Sequence, residues 1–233
     1  MGSEMCIRDS YNGSLEFQDL KTIQNEDGKR WYVTPEGEQY PSITTVLSYF
    51  KKKGISEWRK RIGEEQAKKI TSQASRRGTN VHFLCEDYLN NKPGFKDKHV
   101  PSNIQLFNDI KPFLDENISK VYAQECPLYS DYLGIAGRTD CVAVWKNRLA
   151  IIDFKTSSKP KKREWIQDYF AQGAGYAVMF EERTKIPVAD VVIVIAVENS
   201  VPEVYEEKRD DHITRLIEQI RIYKDENPIS ISS

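Results

Sequence analysis

The sequence predicts an α/β protein, and three features carry the prediction. The hydrophobic period changes from helical to alternating near residue 121, a continuous apolar run spans Val188 to Val197, and amphipathic helical stripes flank the alternating part on both sides. A run apolar throughout suits a strand buried on both faces, which requires helices above and below the sheet.

The elements follow in order. Trp31, Tyr32 and Val33, ahead of the turn Pro35-Glu36-Gly37, predict a small hairpin. Pro41 to Leu47 starts a helix with Ser42 as its cap. Ser56 is expected to cap a second, strongly basic helix running to about Ala74. A third starts near Thr79 and stops before Asn90-Asn91-Lys92-Pro93-Gly94. Ser102 is expected to cap a fourth, in which Ile104, Phe107, Ile110 and Leu114 keep helical spacing despite Pro112.

Val121 to Tyr129 reads as a strand, and Gly137 to Trp145 with Leu149 to Lys155 reads as a hairpin turning near Lys146-Asn147. Arg163 to Glu182 is an amphipathic helix with the stripe Trp165, Tyr169, Gln172, Tyr176 and Phe180. Val204 to Glu207 adds an edge strand, and Asp210 to Lys224 closes the chain with Ile213, Leu216, Ile217 and Ile220 inward. No internal repeat and no low-complexity segment interrupts this order.

With 233 residues and 39% hydrophobic content, the chain can bury one substantial core. Its formal net charge of -1 conceals segregation. Lys51 to Arg77 carries ten Lys or Arg against three acids, and Glu198 to Ser233 carries nine acids against five bases. Lys155 to Arg163 adds five bases and no acid. Any one such run is ordinarily a solvated helix face, yet a local basic face can hold a polyanion whatever the average. Cys6, Cys85, Cys126 and Cys141 form no C-x-x-C pair and read as buried free thiols of a reducing compartment. No run approaches a membrane span or a signal-peptide core, so a cytoplasmic setting in a bacterial or virus-infected cell is expected. Residues 1–12 show no periodicity and are expected to be an artefactual start outside the fold.

The chemistry concentrates in the hairpin. If Lys146 and Asn147 form a two-residue loop, Trp145 faces Arg148 and Asp140 faces Asp153, with Cβ atoms about 4.5–5.5 Å apart. Opposed carboxylates repel unless a cation lies between them, so a divalent metal is the natural resolution. Lys155 shares the face of Asp153; it could simply pair with that acid, but an acid within Ile151-Ile152-Asp153-Phe154 is seldom buried without a partner or a metal. His82 and Glu86 stack one turn apart on a helix flank, where a lone histidine is more often structural, although an imidazole suits a carboxylate-held cation. Gln172 and Tyr176 sit one turn apart, and a glutamine inside an aromatic stripe is either a hydrogen-bonded core residue or a ligand contact. Glu125 either joins the acidic centre or is an ordinary strand residue.

In order, His82, Glu125, Gly137-x-x-Asp140, Asp153-Phe154-Lys155-Thr156 and Gln172-x-x-x-Tyr176 resemble the RecB-like branch of the PD-(D/E)XK nuclease superfamily. Tyr40-Pro41-Ser42-Ile43-Thr44-Thr45-Val46-Leu47 and Arg77-Gly78-Thr79-x-x-His82 are similar to phrases of its single-domain exonucleases, those related to the mitochondrial genome maintenance exonuclease and their phage counterparts. Thr139 stands where the superfamily's name has proline.

The resemblance implies a restriction-endonuclease-like core of helix, three-strand meander, helix and strand, with an N-terminal helical extension and a C-terminal helix. It divides the chain into a disordered or artefactual 1–14, a hairpin and basic helical clamp over 15–75, a nuclease core over 76–226 and a tail over 227–233. By the same resemblance His82, Asp140, Asp153 and the Phe154 carbonyl hold Mg²⁺ or Mn²⁺, and Lys155 orients or deprotonates the attacking water. Glu125 and Glu86 give acidic support. Gln172, Tyr176, Thr156, Arg77, Lys51, Lys52 and Lys53 contact DNA, with Arg59 to Arg61 and Arg76 tracking the backbone and Tyr49, Phe50 and Trp58 available for stacking.

Without the clustered cysteines of cluster-bearing relatives, no iron–sulfur cluster is expected. The implied activity is a metal-dependent exonuclease on single-stranded DNA or DNA ends, with replication, repair or recombination proteins as further partners and no membrane. A structure-selective endonuclease and a non-catalytic nucleic-acid-binding module on the same fold are the competing readings.

Overall fold

A computed structural model describes residues 15, 17–24 and 28–227. The expected artefactual start, with Cys6, and positions 228–233 of the expected tail lie outside the described residues.

The protein is a mixed α/β structure built on a five-stranded sheet. Strands β4 (Ile118–Ser130), β5 (Ile135–Trp145), β6 (Arg148–Ser157), β7 (Asp190–Val197) and β8 (Glu203–Lys208) lie side by side in chain order. All neighbours are antiparallel except β6 and β7, which run parallel across the intervening helix α5 (Gln167–Thr184). One face is covered by α1 (Ile43–Tyr49), α5 and α6 (Arg209–Glu226), through Ile43, Val142, Ile151, Ala177, Phe180 and Leu216. The other carries α3 (Glu64–Leu89) and α4 (Pro101–Asn117), through Leu84, Phe107, Ile110, Ile152 and Val194. Strand β7 sits between both layers: Val192 and Val194 face one, Val191 and Ile193 the other. Burial on both sides is why its sequence is unbroken by polar residues.

A small sheet of β1 (Lys21–Gln24), β2 (Arg30–Val33) and β3 (Gln39–Pro41) packs Tyr32 against Ala136. Only its β2–β3 hairpin is foreshadowed by the sequence. Ser42 caps α1 as expected, its Oγ accepting the Thr45 N–H at 3.0 Å. Among the described residues no helix is long and apolar enough to cross a membrane.

Three expectations are corrected. Helix α2 (Lys52–Ile62) ends at Gly63, whose φ of +87° is open to glycine at little cost, and α3 begins at once with Glu64 and Glu65 in its first turn. Ser56 therefore lies inside α2 rather than at a cap, and Arg76 to Thr79 lie inside α3 rather than at a break. Helix α4 starts at Pro101, whose missing N–H costs nothing in a first turn, so Ser102 is not its cap. Trp165 and Ile217 are exposed, not inward; His212, Gln219 and Tyr223 fill the buried side of α6.

Helix α5 approaches β7 closely because Gly173 lacks a side chain, while Gly175 makes room for Ile43 of α1 and Leu216 of α6. A Cβ at Gly173 would stand 2.2 Å from Val191 Cγ1 on β7. Gly173→Ala is expected to destabilise the protein by about 1–3 kcal/mol through overpacking. Gly54→Ala on exposed α2, where an added Cβ meets nothing within 4 Å, is expected to be neutral or stabilising. Thermal unfolding of the two variants checks the contrast.

Candidate active site

The turn between β5 and β6 has φ values of +45° at Lys146 and +65° at Asn147. Positive φ at both central residues matches the right-handed twist of a tight hairpin and fixes its register. Trp145 pairs with Arg148, and pairing continues to Cys141 with Ile152. One step further come Asp140 and Asp153, where the ladder stops. The Phe154 N–H, which would otherwise lack a partner on that side, donates instead to Asp140 Oδ2 at 2.8 Å.

On the opposite flank of β5, Gln124 pairs with Cys141 and Cys126 with Thr139, so Glu125 stands across from Asp140. Glu125 has a φ of +46°, unusual for a residue with a side chain. On β5 the alternation changes phase near this rung: the layer of α1 and α5 is met by Ile135 and then Val142, an odd interval, so one step is skipped. The irregularities of the β4–β5 ladder lie earlier on β4, between Ile118 and Lys120 and between Val121 and Ala123, as at β-bulges. The single alternation expected over Gly137 to Trp145 is interrupted there.

Helix α3 brings His82 to the gap. Its Nδ1 lies 3.5 Å from Asp140 Oδ2, and its ring meets Phe154 edge-on at 6.4 Å. One donor atom each from His82, Glu125 and Asp140 lies within 4.8 Å of the other two. An imidazole nitrogen with two carboxylate oxygens suits a divalent cation. Beside them Asp153, fully buried, forms an ion pair with Lys155, while its Oδ1 has no hydrogen-bond partner among the described residues.

The electrostatics reflect this crowding. Burial, followed by the Asp140 and Glu86 charges, pushes the Glu125 carboxyl up to about 7. Burial also raises Asp153, to about 6, because repulsion from Asp140 adds to it and Lys155 only partly offsets it. Burial opposes ionisation of Asp140 as well, but the His82 imidazole, Lys155 and the Phe154 N–H outweigh it and hold this carboxyl low. Lys155 is raised: burial disfavours its charge, and Asp153 with Asp140 more than compensates. Raised pKa values on two carboxylates beside a third are what a bound cation would relieve. The residues thus fit a divalent metal, held by His82, Glu125 and Asp140 with Asp153 alongside.

The remaining expected residues are distributed as follows. Glu86 lies near enough to raise Glu125 but outside the donor trio. Tyr176 is buried against Gly137, where an added Cβ would come within 2.7 Å of its ring, and its hydroxyl accepts from Gln172 Nε2 at 3.4 Å. Arg77 Nε donates to Thr156 Oγ1 at 3.3 Å while its Nη1 pairs with Glu198 at 2.8 Å. Lys51 is engaged by Asp168 at 3.2 Å, Lys52 stands 4.7 Å over the Tyr49 ring, and Lys53 is exposed.

Tyr169 has a part that the sequence shows only as membership of an apolar stripe. Its ring lies 5.3 Å from Lys155 Nζ and 5.7 Å from Lys51 Nζ, between the centre and the basic helix. Its spacing of three from Gln172 and seven from Tyr176 was the available signal.

No family model matches the chain. Over 129 residues it is 29% identical to the human protein named mitochondrial genome maintenance exonuclease 1, covering 52% of this chain and 38% of that one. The mouse protein of that name gives 29% over 133 residues, and the Xenopus tropicalis one 26% over 175 residues, covering 70% of this chain and 50% of that protein. The chain thus spans between 38% and 50% of the length of these relatives. A crystal structure of a Eubacterium rectale protein shares 13% identity at a TM-score of 0.46, covering 64% of this chain and 65% of that one, too loose a likeness to bear on the fold.

A carboxyl whose folded-state pKa is raised costs stability once the pH exceeds it, and the cost fades as the pH falls toward the unfolded value. For Glu125 that window runs from about 7 down toward 4.5. In chelator, Glu125→Gln is therefore expected to melt a few degrees above the parent at pH 8, at about 2–4 °C per kcal/mol, with the gap closing toward pH 5. Adding Mn²⁺ should raise the parent's melting temperature more than the variant's. Scanning fluorimetry across pH, with and without metal, checks both.

Proposed function

We propose that this chain is a metal-dependent DNA exonuclease that hydrolyses phosphodiester bonds of single strands or strand ends. The observation that carries the reading is the donor trio His82, Glu125 and Asp140 standing beside a buried Asp153–Lys155 pair. A non-catalytic binding surface has no use for that combination, since each buried charge is costly unless it is paired or holds a metal. The exonuclease name of the relatives supports the same direction.

The roles follow from the chemistry of each group. Mg²⁺ or Mn²⁺ would be held by His82, Glu125, Asp140 and Asp153, and when bound would supply a polarised water and neutralise charge on the phosphoryl group. The Phe154 N–H holds Asp140 in place. Lys155, with its proton held tightly by two neighbouring acids, is an ammonium at neutral pH. It therefore acts as a hydrogen-bond donor that orients the attacking water and stabilises negative charge at phosphorus, rather than as the base. Tyr169 covers Lys155 with its ring and limits the directions in which that donor can point. Gln172 reaches the substrate phosphate, and Tyr176, being buried, acts through it by accepting its N–H.

Helix α2 buries none of its residues and ends in Arg59, Lys60 and Arg61, so it is free to track a backbone. Lys51, at its start, is tied by Asp168 beside Tyr169, which sets the basic arm next to the centre.

End-labelled single-stranded, duplex and circular DNA, incubated with Mg²⁺ or Mn²⁺, tests the activity. Ladders from linear DNA with circles spared are expected, with Lys155→Ala and Asp153→Asn slower by about 10²- to 10³-fold or more. Cut circles would mean an endonuclease, and binding without cleavage a binding module. Calorimetry should show Mn²⁺ binding that Asp140→Ala loses.

For the arm, replacing Lys51, Lys52 and Lys53 with glutamate is expected to weaken single-strand binding and to flatten its salt dependence, by up to about 2 in log–log slope for three phosphates. Unchanged affinity at every salt concentration would remove the arm from the substrate path.

A further inference from the structure

A groove of about 720 Å³ runs between α3 and the start of α4, away from the donor trio. Arg76, Arg77 and Lys98 line it, together with Asn103, Ser158 and one carboxylate, Glu198, which is paired with Arg77. Helix α4 is 17 residues long; its N-cap Val100 makes no side-chain capping bond and its first turn holds no acid. The positive end of that helix is thus left uncompensated at the groove. A second observation points the same way. Asn103 is only 8% exposed and lines the groove, yet its side chain makes no hydrogen bond among the described residues. An amide on a residue so enclosed has little room for water partners, and a ligand oxygen in the groove would satisfy it.

We propose that this groove binds a backbone phosphate of the same nucleic-acid strand that the centre cuts, adjacent to the scissile one. The inference rests on the nuclease reading for what the occupant is. Two features favour a strand over a free phosphate ion. Ile70 and Val100, 40% and 56% exposed, line the same groove and offer apolar contact to sugar and base. The groove is also linked to the centre through β6: Arg77 lines it and holds Thr156, the residue after Lys155, and Ser158 follows just beyond the strand's end. On α3, Arg77 and His82 are five residues apart, about 7.5 Å along the axis. The ends of the groove's cationic set are exposed at Arg76 and Lys98, while Glu198 already holds Arg77.

The test reads binding in chelator, where no strand is cut. Arg76→Glu with Lys98→Glu is expected to weaken binding of a labelled oligothymidylate about 20 nucleotides long by roughly 10- to 30-fold at 0.1 M salt. The slope of log affinity against log salt should fall by about 1.4, two phosphates at about 0.7 each. Lys21→Glu with Arg221→Glu makes the same charge change on β1 and α6 and is expected to leave the slope near the parent's. Asn103→Ala should weaken binding without lowering the melting temperature.

Equal losses from both charge-reversed pairs, or no loss from either, would overturn the groove. So would a parent that does not bind the oligonucleotide. Mn²⁺ affinity, measured by calorimetry, should be the same in the parent and the Arg76/Lys98 variant. A parent that binds strand and metal but never cuts sinks the nuclease reading and leaves the groove standing; a parent that cuts, with a variant that binds like it, sinks the groove alone.

Discussion

The turn at Lys146 and Asn147 is the constraint on which the centre depends. Both residues have positive φ, tolerable for asparagine and less so for lysine, and that geometry admits one pairing of β5 with β6. Contacts from outside the hairpin hold it there: Lys146 N–H donates to Asn117 O at 2.9 Å, and its ammonium reaches Glu206 at 2.6 Å. Counting inward from the turn, the register delivers Asp140 and Asp153 to the point where pairing ends. A slip by one residue would exchange them for apolar neighbours, because successive side chains on a strand point to opposite faces.

What the register delivers is unfavourable by itself. Three carboxylates, on β4, β5 and β6, converge with one imidazole and one ammonium, Asp153 buried and the others half-buried. Lys155 and His82 together compensate only Asp140 fully, so Glu125 and Asp153 keep raised pKa values. The rest of the fold is for the most part locally consistent: apolar where buried, mostly glycine or asparagine where φ is positive, glycine where space is short, capped at Ser42. Departures from such consistency concentrate where chemistry is done, and here the unusual backbone at Glu125, the interrupted ladder and the unpartnered Asp153 Oδ1 all fall on adjacent rungs.

The hairpin, helix α5 and strand β7 were legible in the sequence because each is governed by a local period: two for the strands, about 3.6 for the helix, and unbroken apolarity for the doubly covered strand. Asp153, Lys155 and the Gln172–Tyr176 pair therefore lie on the elements that these periods predict. The role of Glu125 is not legible, since what aims it is a positive φ, and a glutamate gives no local warning of that. The sequence reading places the break between Ala74 and Thr79 rather than at Gly63, although Gly63-Glu64-Glu65 carries both a glycine stop and acids suited to a helix start. Tyr169 lies where its helical stripe puts it, but that its ring faces two ammonium groups depends on β6 and the basic arm, elements with no sequence proximity to it.

The position of the break changes how the basic arm connects to the donor trio. Two helices with a joint near residues 75–78 would let the basic arm move independently of His82. Instead α3 is a single element of 26 residues, about 39 Å long at 1.5 Å per residue. It carries Arg76 and Arg77 in the groove and His82 at the donor trio, so the spacing between groove and trio is fixed by helix geometry. Arg77 reinforces it by bonding Thr156, next to Lys155, which ties the same helix to β6. The hinge, where there is one, lies at Gly63, between α2 and this rigid unit. A strand held by α3 would therefore meet the centre at constant distance, while α2 could adjust to admit it.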